Sequence, residues 1–195
     1  MPTLVLASGS RYRRRLIARL VPAHEATDHR VDEEAFQAAM TGASPDAVAT
    51  ALARAKAASV AADHPDAHVL GSDQLIDLDG TIVGKAGTVE GAHAQLRRLA
   101  GRQHRLVTAL CLRSPDGSER THVDVHLMRM RELSDDAIER YVAADRPLDC
   151  CGAYKIESLG VTLFSAATGD DPTAIEGLPL MAVAKMLREA GWTLP

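Results

Sequence analysis

The chain has 195 residues, of which 46% are hydrophobic and 25% charged, with a formal net charge of −4 at pH 7. That length and balance describe one large domain or two small lobes with ample core, and the acidic sum excludes the basic profile of a nucleic-acid-binding protein. Three cysteines, two of them adjacent (Cys150 and Cys151), imply neither a disulfide framework nor a zinc motif; a reduced, cytoplasmic setting is expected, with no signal peptide and no run near the ~20 apolar residues of a membrane span.

The first predicted element is an apolar strand, Leu4-Val5-Leu6-Ala7, broken at Ser8-Gly9-Ser10 and followed by a helix over roughly Arg13 to Leu20, with Leu16, Ile17 and Leu20 on one face. Arg11, Arg13, Arg14 and Arg15 crowd the turn. Cations at a helix N-terminus are mildly unfavourable, by roughly 0.3–1 kcal/mol each, unless an anion sits there. Backbone N–H groups, two hydroxyls and guanidinium forks suit a phosphate; the plain alternative is a serine N-cap beside a solvated basic face.

A polar stretch, His24 to Glu34, comes next, and its Asp32-Glu33-Glu34 run reads as a solvated acidic face from which one carboxylate could serve a magnesium ion. An alanine-rich helix follows, entered at Pro45-Asp46 and running over Ala47 to Ala61. His68-Val69-Leu70 is a strand leading into Gly71-Ser72-Asp73, an acid at a strand end. Gln74 to Leu78 and Thr81 to Gly84 flank Asp79-Gly80, a hairpin turn. A two-residue turn sets Gln74 opposite Lys85 and brings Asp73 near Lys85. That pair is either a surface ion pair worth about 0–1 kcal/mol or a general base or metal ligand beside a phosphate-binding lysine.

Glu90 to Leu99 is helical. Arg105 to Leu112 and Glu119 to Met130 are two strands joined at Ser114-Pro115-Asp116-Gly117, and Ser134 caps a helix that opens with Asp135 and Asp136. Val161 to Phe164 is a short strand. Pro179 starts a last helix that carries Met181, Val183, Ala184 and Leu187 inward. Hairpins among alternating helices and strands make this a mixed rather than a parallel α/β sheet. Asp77-Leu78-Asp79-Gly80-Thr81 matches the nucleophile motif of haloacid-dehalogenase-like phosphatases. Its acids, however, read as an exposed turn rather than the end of a buried opening strand. The eight histidines show no metal-ligand spacing, and Arg97 with Arg98 reads as an exposed helix face.

Several segments, taken in order, resemble one family. They are Leu-Ala-Ser-Gly-Ser-Arg-Tyr-Arg-Arg, Val31-Asp32-Glu33, Ala55-Lys56-Ala57, Gly71-Ser72-Asp73-Gln74, Gly84-Lys85, the run from Pro147 to Glu157, Asp171-Pro172-Thr173 and Gly177-Leu178-Pro179-Leu180. The chain is similar from end to end to the Maf family of nucleoside triphosphate pyrophosphatases, and most to its branch acting on 7-methyl-GTP. The resemblance implies a single Maf-like domain over residues 1–195. Its fold would be α/β, with a mixed central sheet and flanking helices forming two lobes around a cleft, as in inosine triphosphate pyrophosphatase. The implied reaction is hydrolysis between the α- and β-phosphates, with a divalent cation, Mg²⁺ or Mn²⁺.

By the same resemblance the active-site acid falls on Asp73, phosphate contacts on Ser8, Arg13, Arg14, Lys56 and Lys85, and base selection on Tyr12, Gln74 and Glu157. Asp73 serves as base or as metal ligand, and Glu33 is a second candidate ligand. Glu157 read by itself is an acid in a loop. The expected partners are a small nucleotide and at most a second copy of the chain, with no nucleic acid and no membrane. Arg11 and Ala86 stand where the family commonly has proline. The alternatives are a Maf-type enzyme for dTTP or UTP, a non-catalytic nucleotide-binding regulator, and a dehalogenase-like phosphatase.

Overall fold

The computed structural model describes residues 2–194. Strands β1 (Leu4–Ala7), β2 (Glu25–Thr27), β3 (His68–Leu78), β4 (Thr81–Val83), β5 (Gln103–Arg113), β6 (Glu119–Met130) and β7 (Phe164–Thr168) form one mixed sheet of order β2-β1-β3-β5-β6-β7, with β4 paired to β3. The helices are α1 (Arg11–Ile17), α2 (Glu33–Ala39), α3 (Pro45–Ala61), α4 (Val89–Leu99), α5 (Asp135–Asp145) and α6 (Leu180–Glu189). The chain divides into two compact units, one of residues 1–73, 108–124 and 171–195, the other of residues 74–107 and 125–170. Among the described residues no helix is long and apolar enough to cross a membrane.

In the first unit β1 is fully buried and pairs in parallel with β2 and β3. Its core gathers Leu4, Leu6, Leu16, Ile17 and Leu70 with Val183 and Leu187 of α6. Helix α3 lies unusually close to β3. A Cβ built on Gly71 would fall 2.2 Å from the Ala53 carbonyl oxygen and 2.8 Å from the Ala57 nitrogen. Only glycine on the strand, facing alanines on the helix, permits that approach.

The second unit contains the hairpin. Leu78 pairs with Thr81 and Ile76 with Val83, and Asp79 (φ 53°) with Gly80 (φ 81°) forms the two-residue turn whose left-handed backbone Asp-Gly sequences supply. Its aromatic centre sets Tyr154 edge-on to Phe164, ring centroids 4.8 Å apart. The His104 Nε2 atom lies 3.1 Å from the Tyr154 hydroxyl. Burial lowers the His104 pKa to about 4.

Several sequence expectations need correction. Helix α1 starts at Arg11, two residues before its expected start, because Ser10 caps it and accepts from the Arg13 N–H. At seven residues its dipole is short, so the arginine side chains carry the phosphate reading. The stretch from His24 to Glu34 is not merely polar, since it holds β2 and the start of α2, capped by Asp32. The expected strand over Val161 to Phe164 is instead a 3₁₀ turn (Leu159–Leu163), and β7 begins at Phe164. Met181 is 60% exposed rather than packed inward, while Val183, Ala184 and Leu187 are buried.

Candidate active site

The first unit gathers charge where a soluble fold rarely tolerates it. Lys56, on the α3 face pressed against β3, is 2% exposed, and Asp73 is 4% exposed. The Lys56 Nζ atom donates to Asp73 Oδ1 at 2.6 Å and lies 2.7 Å from Glu33 Oε1. Glu33 is therefore not a solvated acid, as its run suggested. It leads α2 and is shared with the buried lysine. Asp73 Oδ2 is buried and makes no hydrogen bond to any other part of the protein. Leaving a charged acceptor buried and unmet costs about 1–3 kcal/mol or more, so its persistence marks a place where a ligand, water or reacting group belongs.

The hairpin geometry had suggested Lys85 as the cation beside Asp73. Lys56, seventeen positions away in sequence, is a cation on Asp73 that the hairpin did not announce. The carboxylates of Asp73 and Glu33 are hard oxygen donors of the kind Mg²⁺ or Mn²⁺ takes together with phosphate oxygens. Among the described residues no group of three or more histidine, cysteine or acidic side chains forms a cage. The donor set thus fits an ion completed by a substrate and not a closed structural site.

The arginine turn is organised by backbone carbonyls. Ser8 is 3% exposed, and its Oγ accepts from the Ser10 N–H at 3.2 Å. Arg14 is exposed; its Nε reaches the Ser8 carbonyl at 3.4 Å and its terminal nitrogen lies 3.3 Å from Asp28. A Cβ on Gly9 would meet the Asp28 carboxylate at 2.5 Å, so the glycine makes room for that acid. Arg13 donates from Nε to the Gly177 carbonyl at 2.9 Å and from a terminal nitrogen to the Ser72 carbonyl at 3.0 Å. Ser72 Oγ donates to the same Gly177 oxygen at 3.1 Å. Tyr12 is half-buried, and its hydroxyl accepts from Arg11 at 2.7 Å.

The loop that offers Gly177 is itself stapled. Buried Asp171 accepts from the Thr173 N–H and hydroxyl through Oδ1, at 3.0 and 2.6 Å, and from the Met181 N–H through Oδ2 at 2.6 Å. Thr173 Oγ1 also lies 2.9 Å from the Leu178 carbonyl oxygen, which shares the hydroxyl's one proton with Asp171, and it accepts from the Leu180 N–H. The Asp171-Pro172-Thr173 and Gly177-Leu178-Pro179 motifs are thus one hydrogen-bonded device whose output is a fixed carbonyl for Arg13.

Lys85, Gln74 and Glu157 belong to the second unit. Lys85 is exposed and bridges antiparallel to Cys151, whose thiol donates to the Gln74 carbonyl at 3.1 Å. One cysteine thereby ties together the segments bearing Lys85 and Gln74, a link no sequence pattern announced. Glu157 is exposed. Lys155, its neighbour, donates to the carbonyls of Asp145 and Arg146 at the end of α5, at 2.9 and 3.1 Å, a structural use of its charge. Cys150, Cys151 and Cys111 are free thiols; burial pushes the Cys150 thiol up to about 12 and Cys111 to about 11, so neither is a ready nucleophile.

The acids of the dehalogenase-like motif are structural. Asp77 is buried, not exposed as its turn position suggested, and both its oxygens are engaged, with the Gly80 N–H at 2.7 Å and Arg105 at 2.8 Å. Asp79 is exposed and paired with Arg102.

Comparison with known proteins supplies the family. The family described as Maf-like protein matches residues 3–190. The chain belongs to the Maf-like family. Among curated relatives, the 7-methyl-GTP pyrophosphatase of Xanthomonas campestris pv. campestris (strain 8004) is 49% identical over the whole of both chains. The protein of that name from Aromatoleum aromaticum is 46% identical over 98% of this Maf-like chain and 97% of its own. A solved dITP/XTP pyrophosphatase from Mycobacterium abscessus aligns over 67% of this chain and 75% of its own, at 18% identity and a TM-score of 0.42.

Proposed function

We propose that this protein is a nucleoside triphosphate pyrophosphatase that hydrolyses 7-methyl-GTP to 7-methyl-GMP and pyrophosphate. The observation that carries the reading is the buried Asp73 carboxylate, one oxygen on Lys56 and the other without a protein partner, in a Maf-like chain. Full-length relatives bearing the 7-methyl-GTP pyrophosphatase name support the choice of substrate.

The chemistry needs little covalent help from the protein. A water attacks the α-phosphorus, the bridging α–β P–O bond breaks, and pyrophosphate leaves with the electron pair. Asp73 Oδ2 is the acceptor for the water proton, while Lys56 fixes the Asp73 carboxylate and Glu33 together and offsets the charge that both would otherwise concentrate. Arg14, Ser8 and Lys85 take phosphate oxygens; Arg13 anchors the turn through its carbonyl contacts and presents its guanidinium charge to the same anion. A Mg²⁺ or Mn²⁺ ion would be held by Glu33 together with substrate phosphate oxygens, and by Asp73 where that carboxylate serves as ligand in place of base; it would supply electrophilic stabilisation of phosphate charge. Tyr12 offers a ring face to the cationic 7-methylguanine, an interaction worth ~0.5–2 kcal/mol. Glu157 offers a carboxylate to the N1–H and N2 amine, and Gln74 a ring-edge contact. The setting is the cytoplasmic nucleotide pool, and a second copy of the chain is the only macromolecular partner the reading includes.

The test is a panel of 7-methyl-GTP, GTP, UTP and dTTP with Mg²⁺ or Mn²⁺, with products separated by chromatography. Monophosphate plus pyrophosphate, fastest from 7-methyl-GTP, is the expected result. Fastest turnover of UTP or dTTP would overturn the substrate, release of inorganic phosphate would overturn the bond cleaved, and binding without products would leave a regulator.

A further inference from the structure

Glu33 sits at the first position of α2, a helix with no fully buried residue. Packing of that helix cannot fix the carboxylate, so its side-chain contacts must. One is Lys56. Another is His29, four residues upstream, whose Nε2 lies 3.3 Å from the same Oε1 atom that Lys56 approaches. The ring's other nitrogen settles the proton. His29 Nδ1 accepts from the Val31 N–H at 3.3 Å, so in the neutral imidazole the hydrogen is on Nε2, the nitrogen that lies nearest Glu33. Two nitrogens, one from the chain just before α2 and one from α3, therefore approach a single carboxylate oxygen, and the second of them donates to Asp73.

We propose that His29 is a positioning residue: its Nε2–H fixes the Glu33 carboxylate for its part in the hydrolysis. The inference rests on the pyrophosphatase reading above, which gives Glu33 a task. Nothing in the residue's sequence context signals it; His29 stands in a polar run beside acids and reads as surface.

Two conservative variants separate positioning from a local turn role. Glutamine places a donor near the Nε2 position, and asparagine places its polar atoms near Nδ1. His29→Asn should lower kcat and weaken Mn²⁺ binding to the nucleotide-free protein by about 10-fold each, the loss expected for one hydrogen bond to a charged group, while His29→Gln returns both to within about three-fold of wild type. KM should move little in either variant. A turn role alone predicts the reverse, with asparagine retaining the Val31 contact and glutamine failing. Wild-type behaviour of His29→Asn, or equal loss in both variants, overturns the proposal. In the Glu33→Gln background the His29→Asn change should add no further loss, and an additive loss would also overturn it. If the wild-type protein converts none of the triphosphates, the pyrophosphatase reading fails, and calorimetric Mn²⁺ titration of the same variants still decides the role of His29.

Discussion

Asp73 and Asp77 are four residues apart on one strand, and both are buried beside a cation, yet they are built for opposite ends. Asp77 has each oxygen engaged, one by the Gly80 N–H of its own turn and one by Arg105. It closes a hairpin. Asp73 has one oxygen on a lysine more deeply buried than itself and the other on nothing. The contrast teaches that a buried acid's role is read from what its second oxygen lacks. Burial and an ion pair are common to both.

The largest expected effect tests the cation. Lys56→Met leaves Asp73 and Glu33 without their shared counter-charge and should cost about 3–5 kcal/mol in chemical denaturation. Arg105→Met beside Asp77 should cost about 1 kcal/mol or less, because Arg105 is 36% exposed and Asp77 keeps its turn hydrogen bond. Equal losses would erase the distinction between the two acids.

Next comes chemistry. Asp73→Asn should lower kcat by about 10²-fold or more, the scale of general acid–base catalysis. Stopped assays of pyrophosphate release decide this, and near-wild-type turnover would remove Asp73 from the mechanism.

His104 extends the comparison to a buried group kept neutral. Its folded pKa, lowered to about 4 by burial, lies below the ordinary 6.5. The unfolded chain therefore binds the proton more readily, and the contribution to stability is complete above pH 6.5 and lost as pH falls towards 4. At pH 5 the loss should be about 2 kcal/mol relative to pH 8. His104→Phe should flatten that part of the stability–pH curve, and an unchanged slope would assign the acid sensitivity elsewhere.

The smallest effect belongs to Asp77. Asp77→Asn should leave kcat within about two-fold while lowering stability by about 1 kcal/mol through a weakened turn contact. A collapse of activity would revive the dehalogenase-like alternative that the family match argues against.

What could be read in advance follows from how local each feature is. The Asp79-Gly80 turn and its register were legible because two adjacent residues dictate the backbone there. The cap at Ser134 was equally local. The lysine on Asp73 was not legible by pattern, since it depends on α3 pressing over Gly71; resemblance alone singled out Lys56. Glu33 looked like a solvated acid because its neighbours Asp32 and Glu34 are exposed, and helical phase alone turns it towards Lys56. The Val161 to Phe164 segment carries β-branched and aromatic residues that favour a strand, but the chain winds there as a 3₁₀ turn, and pairing with β6 begins only at Phe164.

The Gly177 carbonyl has a consequence for how the protein is made. Arg13 and its acceptor are separated by 164 residues, so the N-terminal arginine turn leaves the ribosome long before the loop that anchors it. Every shorter nascent chain carries the basic motif without the carbonyl that orients it. The folded geometry of the Arg13 guanidinium is thus withheld until Gly177 has been made. A prematurely terminated product would expose loose arginines and an unfilled gap among Leu4, Leu16 and Leu70, where α6 packs in the finished fold, a surface that quality-control proteases recognise by its exposed apolar residues.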